Sequence, residues 1–235
     1  MCYYISIIKS KIEIEKRFFV RLPEGISLTP KYKISAFDKK AKLLTIISGS
    51  PQRADFYHWG LIPYWIKTQS EAEGIRKKTV NARAETVFIK PSYKRVVLSK
   101  RALIIADGFF EWHNENGEKI PYYIKFKDGK LFAIAGIWDE WRNPVTKKLI
   151  KTVSILTYKA NPLLEKVHNT KKRMPLILPE RIEKKWLKKE LDGKEIREFF
   201  KAYEYKDLIA YPVPKKIFLK SSGDNPELIK IESIP

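Results

Sequence analysis

The chain has 235 residues, 44% of them apolar, and carries 47 Lys plus Arg against 27 Asp plus Glu, a formal net charge of +20. That length holds one large domain or two small ones, and a basic excess spread along the whole chain points to a polyanionic partner, because phosphate neutralisation releases condensed counterions. A single cysteine excludes an internal disulfide, the isolated His58, His113 and His168 exclude a His/Cys metal cluster, and no apolar run reaches the roughly 18 residues of a membrane span.

The chain begins "MCYY", with no basic stretch ahead of an apolar core, so it does not read as a signal peptide. A cytoplasmic protein is expected, associated with the nucleoid if the polyanion is DNA; a generally Lys-rich proteome would produce the same charge balance. "RALIIADGFFEW" opens as a short buried strand from Arg101. In "IPYYIKFKDGKLFAIAGIWDEW", two β-rich runs flank Lys127-Asp128-Gly129-Lys130, which predicts a hairpin through a tight Asp-Gly turn. "KTVSILTY" alternates through Val153 and Ile155, as a strand does.

Residues 161–169, "NPLLEKVHN", predict a helix with an Asn cap and Pro at its first position. "PERIEKKWLKKEL" sets Ile182, Trp186 and Leu187 on one stripe until Gly193, and "KEIREFFKAY" resumes it. From about 212 to 235 the chain, rich in Pro, Lys and Ser, is expected to run as an extended closing segment. The elements add up to one α+β domain over 1–235, with a mostly antiparallel β core and short peripheral helices. Nothing in the pattern signals an oligomer, and a monomer is expected.

The lone cysteine is Cys2. If Met1 is removed, the chain starts with an amine and a thiol on adjacent carbons, a 1,2-aminothiol. The amine, with an ordinary pKa of about 7.7 to 8.0, is partly neutral at physiological pH and attacks aldehydes to form imines. The thiol then adds to the imine carbon and closes a five-membered thiazolidine, a more durable trap than a Schiff base. On composition alone, an accidental small residue at a frayed terminus is the better account of Cys2.

Five stretches change that balance: "HWGLIPYW", "NARAET", "ADGFFEW", "ILTYKAN" and "VHNTKKRMPLIL", in this order behind Cys2. Together they resemble the SRAP family, the SOS-response-associated peptidases or abasic-site-processing proteins, over Cys2 to about Leu178. The resemblance implies a barrel-like β core and no cofactor. It implies a function in which Cys2 crosslinks to the ring-opened aldehyde of an abasic deoxyribose and shields the lesion in single-stranded DNA, with strand–duplex junctions as a further possible substrate.

Carried over motif by motif, the resemblance makes Cys2 the nucleophile, Asn81 of "NARAET" a positioning amide, and Glu111 of "DGFFEW" and His168 of "VHNTKKRMP" the proton-transfer groups. Each type suits its task. An imidazole titrating near pH 6.5 can give and accept a proton during sugar ring opening. A glutamate beside Phe109, Phe110 and Trp112 can be raised by burial towards neutrality, and a carboxamide holds an amine or hydroxyl without titrating. Read singly, each has a plainer account: a structural helix-end His168, a solvent-facing Glu111 in an alternating strand, and a capping Asn81.

For DNA, Arg83 is the best phosphate ligand, by its guanidinium fork. Trp59 and Trp112 are candidates for stacking on bases or for the core, and Lys94 and Thr157 are lesser candidates. His58 and His113 are expected to be exposed and idle. The chain departs from the family pattern at Tyr3-Tyr4, where many members have Gly-Arg, at Tyr93-Lys94, where many have Phe-Arg, and in the longer spacing Asn169 to Lys172 before Arg173. Two competing functions remain: a peptidase, lyase or self-processing hydrolase using Cys2 as nucleophile, and a non-covalent basic module in which Cys2 is irrelevant.

Overall fold

The computed structural model describes residues 2–219 and 223–230. In chain order the elements are β1 (Tyr4–Ile7), α1 (Lys11–Phe18), β2 (Lys31–Ser35), β3 (Lys42–Ile47), β4 (Ser50–Trp59), α2 (Gln69–Lys78), β5 (Asn81–Arg83), α3 (Val96–Ser99), β6 (Arg101–Ala106) and β7 (Gly108–Glu115). There follow β8 (Glu118–Phe126), β9 (Phe132–Arg142), β10 (Leu149–Lys159), α4 (Pro162–Val167), β11 (Arg173–Pro175), β12 (Ile177–Leu178), α5 (Glu180–Trp186), α6 (Gly193–Arg197) and β13 (Leu208–Pro212). The helices are short and start where side chains satisfy their orphan N–H groups: Ser10 with Glu13, Thr68 with Glu71 and Asp192 with Glu195 form capping boxes, and Asn161 caps α4 ahead of Pro162.

Five strands close on themselves. β4 pairs β3, β3 pairs β6, β6 pairs β9, β9 pairs β10, and β10 returns to β4, so the larger sheet is a barrel with β5, β11 and β12 appended. Among the strands of the described residues, only the β10 contacts with β4 and β5 are parallel pairings. A second sheet, antiparallel throughout, runs β13-β8-β7-β1-β2. The α+β architecture with a mostly antiparallel, barrel-like core is therefore as the sequence and its resemblance led one to expect.

Neighbouring residues along the barrel strands point into two separate apolar clusters. Leu43, Ile104, Ile134 and Ile155 join Cys2 and, from the second sheet, Ile5 and Phe109, whereas Leu44, Leu103, Ile105 and Leu156 join Ile14, Trp186 and Ile196 of the helices. Burial on both faces explains why "RALIIA" is buried at all six positions and shows no alternation.

Two expectations need correction. The Asp-Gly turn exists, with Gly129 at φ 67° donating to the Phe126 carbonyl, but β8 and β9 do not pair; they leave the turn into different sheets. The hairpin lies one turn earlier, where Asn116 (φ 50°) and Gly117 (φ 88°) join β7 to β8 with Glu115 opposite Glu118. The closing segment, in its described part, is not extended: 3-10 turns at Lys215–Phe218 and Pro226–Ile229 place Ile217 and Leu228 against Phe110 and Tyr123. Its residues 220–222 and 231–235 lie outside the described residues.

Candidate active site

The wall formed by β1 and β7 fixes the start of the chain. Tyr4 lies opposite Phe110 and Ile5 opposite Phe109, and continuing that register brings Tyr3 level with Glu111. A buried polar knot locks the pairing: Ser6 Oγ donates to Asp107 Oδ1 (2.6 Å), Ile8 N–H donates to Asp107 Oδ2 (2.5 Å), and Ser6 Oγ lies 2.7 Å from the Tyr123 hydroxyl. Position 108 has to be glycine for this, because a Cβ there would sit 2.1 Å from the Tyr123 oxygen.

Cys2 is fully buried, and its Sγ is 3.5 Å from the Tyr4 carbonyl. Burial first, and then the nearby Glu111 carboxylate, pushes its thiol pKa up, so the sulfur rests as SH. Asn81, at the start of β5 beside Ile155 of β10, donates from Nδ2 to the Cys2 carbonyl at 2.8 Å. Its Oδ1 is buried without a hydrogen-bond partner among the described residues, and its own carbonyl accepts from the Tyr93 hydroxyl.

Glu111 is 1% exposed, not the solvent-facing member of an alternating strand. Burial pushes its carboxyl up to about 7. Its Oε2 lies 3.7 Å from Nδ1 of His168, the residue that ends α4. Here the expected pH 6.5 titration needs correction: burial pushes His168 down to about 4, so the ring is neutral at pH 7. Its Nδ1 is 2.8 Å from the Arg173 carbonyl, which only accepts, so the proton sits on Nδ1 and Nε2 keeps its lone pair. The group poised near neutrality is the carboxyl.

Glu111 and His168 line a cavity of about 310 Å³ together with Tyr3, Tyr4, Phe37, Trp112, Lys119 and Lys171. Tyr3 and Tyr4, which stand where many family members carry Gly-Arg, form an aromatic rim: Tyr3 stacks on the exposed Phe37 (5.2 Å, 24°), and Tyr4 contacts Trp112 at 5.4 Å. The lengthened segment before Arg173 is tied to β7 by two bonds, Asn114 N–H to Asn169 Oδ1 (2.9 Å) and Asn169 Nδ2 to the Asn114 carbonyl (2.7 Å).

Among the DNA candidates, Trp112 is half-buried on the cavity wall, and Arg83 and Lys94 are exposed. Trp59 and Thr157 need correction. Trp59 is 0% exposed and donates Nε1–H to the Val80 carbonyl at 3.0 Å, so no face is open to a base. Thr157 is likewise fully buried, under Arg173, whose guanidinium reaches the Thr157 carbonyl (2.8 Å) and both Glu85 oxygens (2.9 Å each). His58 and His113 are half-buried rather than exposed, and His113 Nδ1 is 2.8 Å from the Lys166 carbonyl. Arg173 is the residue the motif reading passed over: it lies inside "KKRMP", and its carbonyl sets the His168 tautomer.

Among the described residues no group of three or more His, Cys, Asp or Glu could hold a metal ion, and no helix is long and apolar enough to cross a membrane. A buried second-residue cysteine whose carbonyl is held by a carboxamide, near a carboxyl that is poised at neutrality and faces a neutral imidazole, on a closed β core with a strand-paired terminus, defines an SRAP-type protein.

The comparisons with known proteins agree. The family model described as SOS response associated peptidase (SRAP) matches residues 1–219, and this chain belongs to that family. It is 37% identical over 235 residues to the abasic site processing protein YoqW of Bacillus subtilis (strain 168), covering 98% of this chain and 99% of that one. With the abasic site processing protein HMCES of Gallus gallus it shares 35% identity over 199 residues, covering 74% of this chain and 56% of that one. A crystal structure of a Bacteroides thetaiotaomicron protein superposes with a TM-score of 0.90 at 34% identity, covering 98% of this chain and 100% of that chain.

Proposed function

We propose that this protein processes abasic sites in single-stranded DNA by joining Cys2 to the ring-opened sugar as a thiazolidine, once Met1 has been removed. One observation carries the reading: the Cys2 backbone is held by Asn81 at 2.8 Å, on a wall whose carboxyl, Glu111, is pushed up to about 7.

The chemistry follows from those protonation states. An abasic sugar is mostly a closed hemiacetal, and opening it takes a proton from the anomeric hydroxyl and gives one to the ring oxygen. His168 Nε2, the unprotonated nitrogen of this tautomer, accepts from the hydroxyl; protonated Glu111 supplies the ring oxygen. The neutral Cys2 amine then attacks the aldehyde carbon, and the carbinolamine hydroxyl leaves as water with a proton relayed by Glu111. Finally Sγ bonds to the imine carbon while the thiol proton passes to the imine nitrogen. The sum is aldehyde plus aminothiol giving thiazolidine plus one water. Asn81 Oδ1 is suited to accept from the amine or from a sugar hydroxyl, and exposed Arg83 to hold a backbone phosphate.

The test mixes Met1-processed protein with an oligonucleotide carrying one abasic site. A heat-stable adduct lost in Cys2→Ala supports the proposal. Cleavage of generic peptides by Cys2 in place of an adduct supports the peptidase reading, and salt-sensitive binding indifferent to Cys2→Ala supports the non-covalent one.

A further inference from the structure

The aromatic rim of the cavity ends at Phe37, and the same stretch of chain continues into a second, unlike surface. A groove of about 460 Å³ runs beside β2, the edge strand of the smaller sheet, and is lined by Lys9, Lys31, Lys33, Lys40 and Lys42. Among the described residues, two acidic side chains, Asp38 and Asp224, line it. Its other walls are Ile7, Leu28, Ile34 and Phe56 with the hydroxyls of Ser27, Thr29 and Ser35.

The two surfaces adjoin through the backbone. Ser35 of the groove lies opposite Tyr4 of the cavity in the β1–β2 register, Ala36 N–H donates to the Tyr3 carbonyl (2.9 Å), and Phe37 of the cavity precedes Asp38 of the groove. Three of the lysines are partly engaged: Lys9 with Glu13 (3.1 Å), Lys31 with Asp224 (3.5 Å) and Lys33 with the Ile217 carbonyl. Lys40 and Lys42 are exposed; neither forms a close salt bridge among the described residues, although Lys42 acts electrostatically on Asp55.

We infer that the β2 groove is a track for the phosphodiester backbone of a DNA strand leaving the Glu111–His168 cavity, with Lys40 and Lys42 as its principal phosphate contacts. Five ammonium groups along one groove match a row of singly charged phosphates, and apolar walls suit the intervening sugars. Flexible point charges give affinity without sequence choice. The inference rests on the proposed function for the identity of the polymer. Charged side chains on an edge strand also deter edge-to-edge pairing, and that role alone would give no length dependence in DNA binding.

The experiment measures fluorescence anisotropy with Cys2→Ala protein, which holds DNA without trapping it. The probes are two labelled single strands bearing a central tetrahydrofuran in place of the abasic sugar, one just long enough for the cavity and one extended on both sides. In Lys40→Ala/Lys42→Ala, affinity for the long strand should fall about tenfold at low salt, and the slope of log K against log salt should flatten by about 1.4, or about 0.7 per lost contact. Affinity for the short strand should hold within twofold. Equal loss on both strands, or none on either, overturns the inference. Adduct formation by Cys2-containing protein at saturating abasic DNA is followed in parallel. Its absence in the parent would sink the proposed chemistry while leaving the groove result to stand, and an unchanged slope beside a normal adduct would sink the groove alone.

Discussion

Two buried carboxyls at different places in this fold show what separates a site from a brace. Glu183, on α5, lies beside the larger cavity, about 630 Å³ between α1 and α5, and receives both arms of the Arg17 guanidinium at 3.0 and 2.8 Å. Glu111 lines a cavity half that size and faces an imidazole that burial keeps neutral. Burial raises the pKa of both against a cation that pulls the other way, the bidentate Arg17 guanidinium at Glu183 and the chain's terminal amine at Glu111. Cavity volume would choose the wrong place; the protonation chemistry chooses the smaller one. A carboxyl clamped by a bidentate cation is committed to its ion pair, whereas one held near pH 7 has a proton to move.

The comparison breaks most easily at the nucleophile. Cys2→Ser should abolish the heat-stable adduct and leave an imine that survives only after borohydride reduction, read on a denaturing gel. Next, Glu111→Gln should slow adduct formation by about 10² to 10⁴ and erase an inflection near pH 7 in the rate profile, while Glu183→Gln should leave both within twofold. Stability should move the other way at Glu183. Its loss leaves the mostly buried Arg17 with only the exposed Glu180, 3.4 Å away, and should cost about 2 kcal/mol in urea unfolding.

A smaller effect sharpens the contrast. The folded-state pKa of Glu111 lies above the ordinary 4.5, so between those values the folded chain binds more protons than the unfolded one and stability falls as pH rises from 4.5 to about 7. Glu111→Gln removes that loss, so the variant should gain stability over the parent at pH 8 relative to pH 4, by about 3 kcal/mol at most. Smallest of all, Arg83→Ala should weaken single-strand binding and flatten its salt slope by about 0.7, without touching the pH profile.

How much of this could be read in the sequence depended on the range of the forces involved. The Asn161 cap with Pro162, the buried run at Arg101 and the Trp186 stripe are local signals, and the structure contains each of them. The hairpin failed because Asp128-Gly129 fixes a turn but not what the flanking strands pair with, which the closed barrel decides. The four residues Cys2, Asn81, Glu111 and His168 were named from motifs, but their mutual distances and protonation states come from burial that no local pattern encodes. Trp59 and Thr157 were misread for the same reason: an aromatic or hydroxyl side chain looks alike in sequence whether it faces DNA or the core.

The most direct test of the central claim is intact-mass spectrometry of the Met1-less protein after incubation with an abasic oligonucleotide and heating. The account predicts a species at the summed mass of chain and oligonucleotide less one water, absent when Cys2 is alanine. Unmodified protein in the presence of ring-opened abasic DNA, or an adduct of that mass that persists in Cys2→Ala, would contradict it.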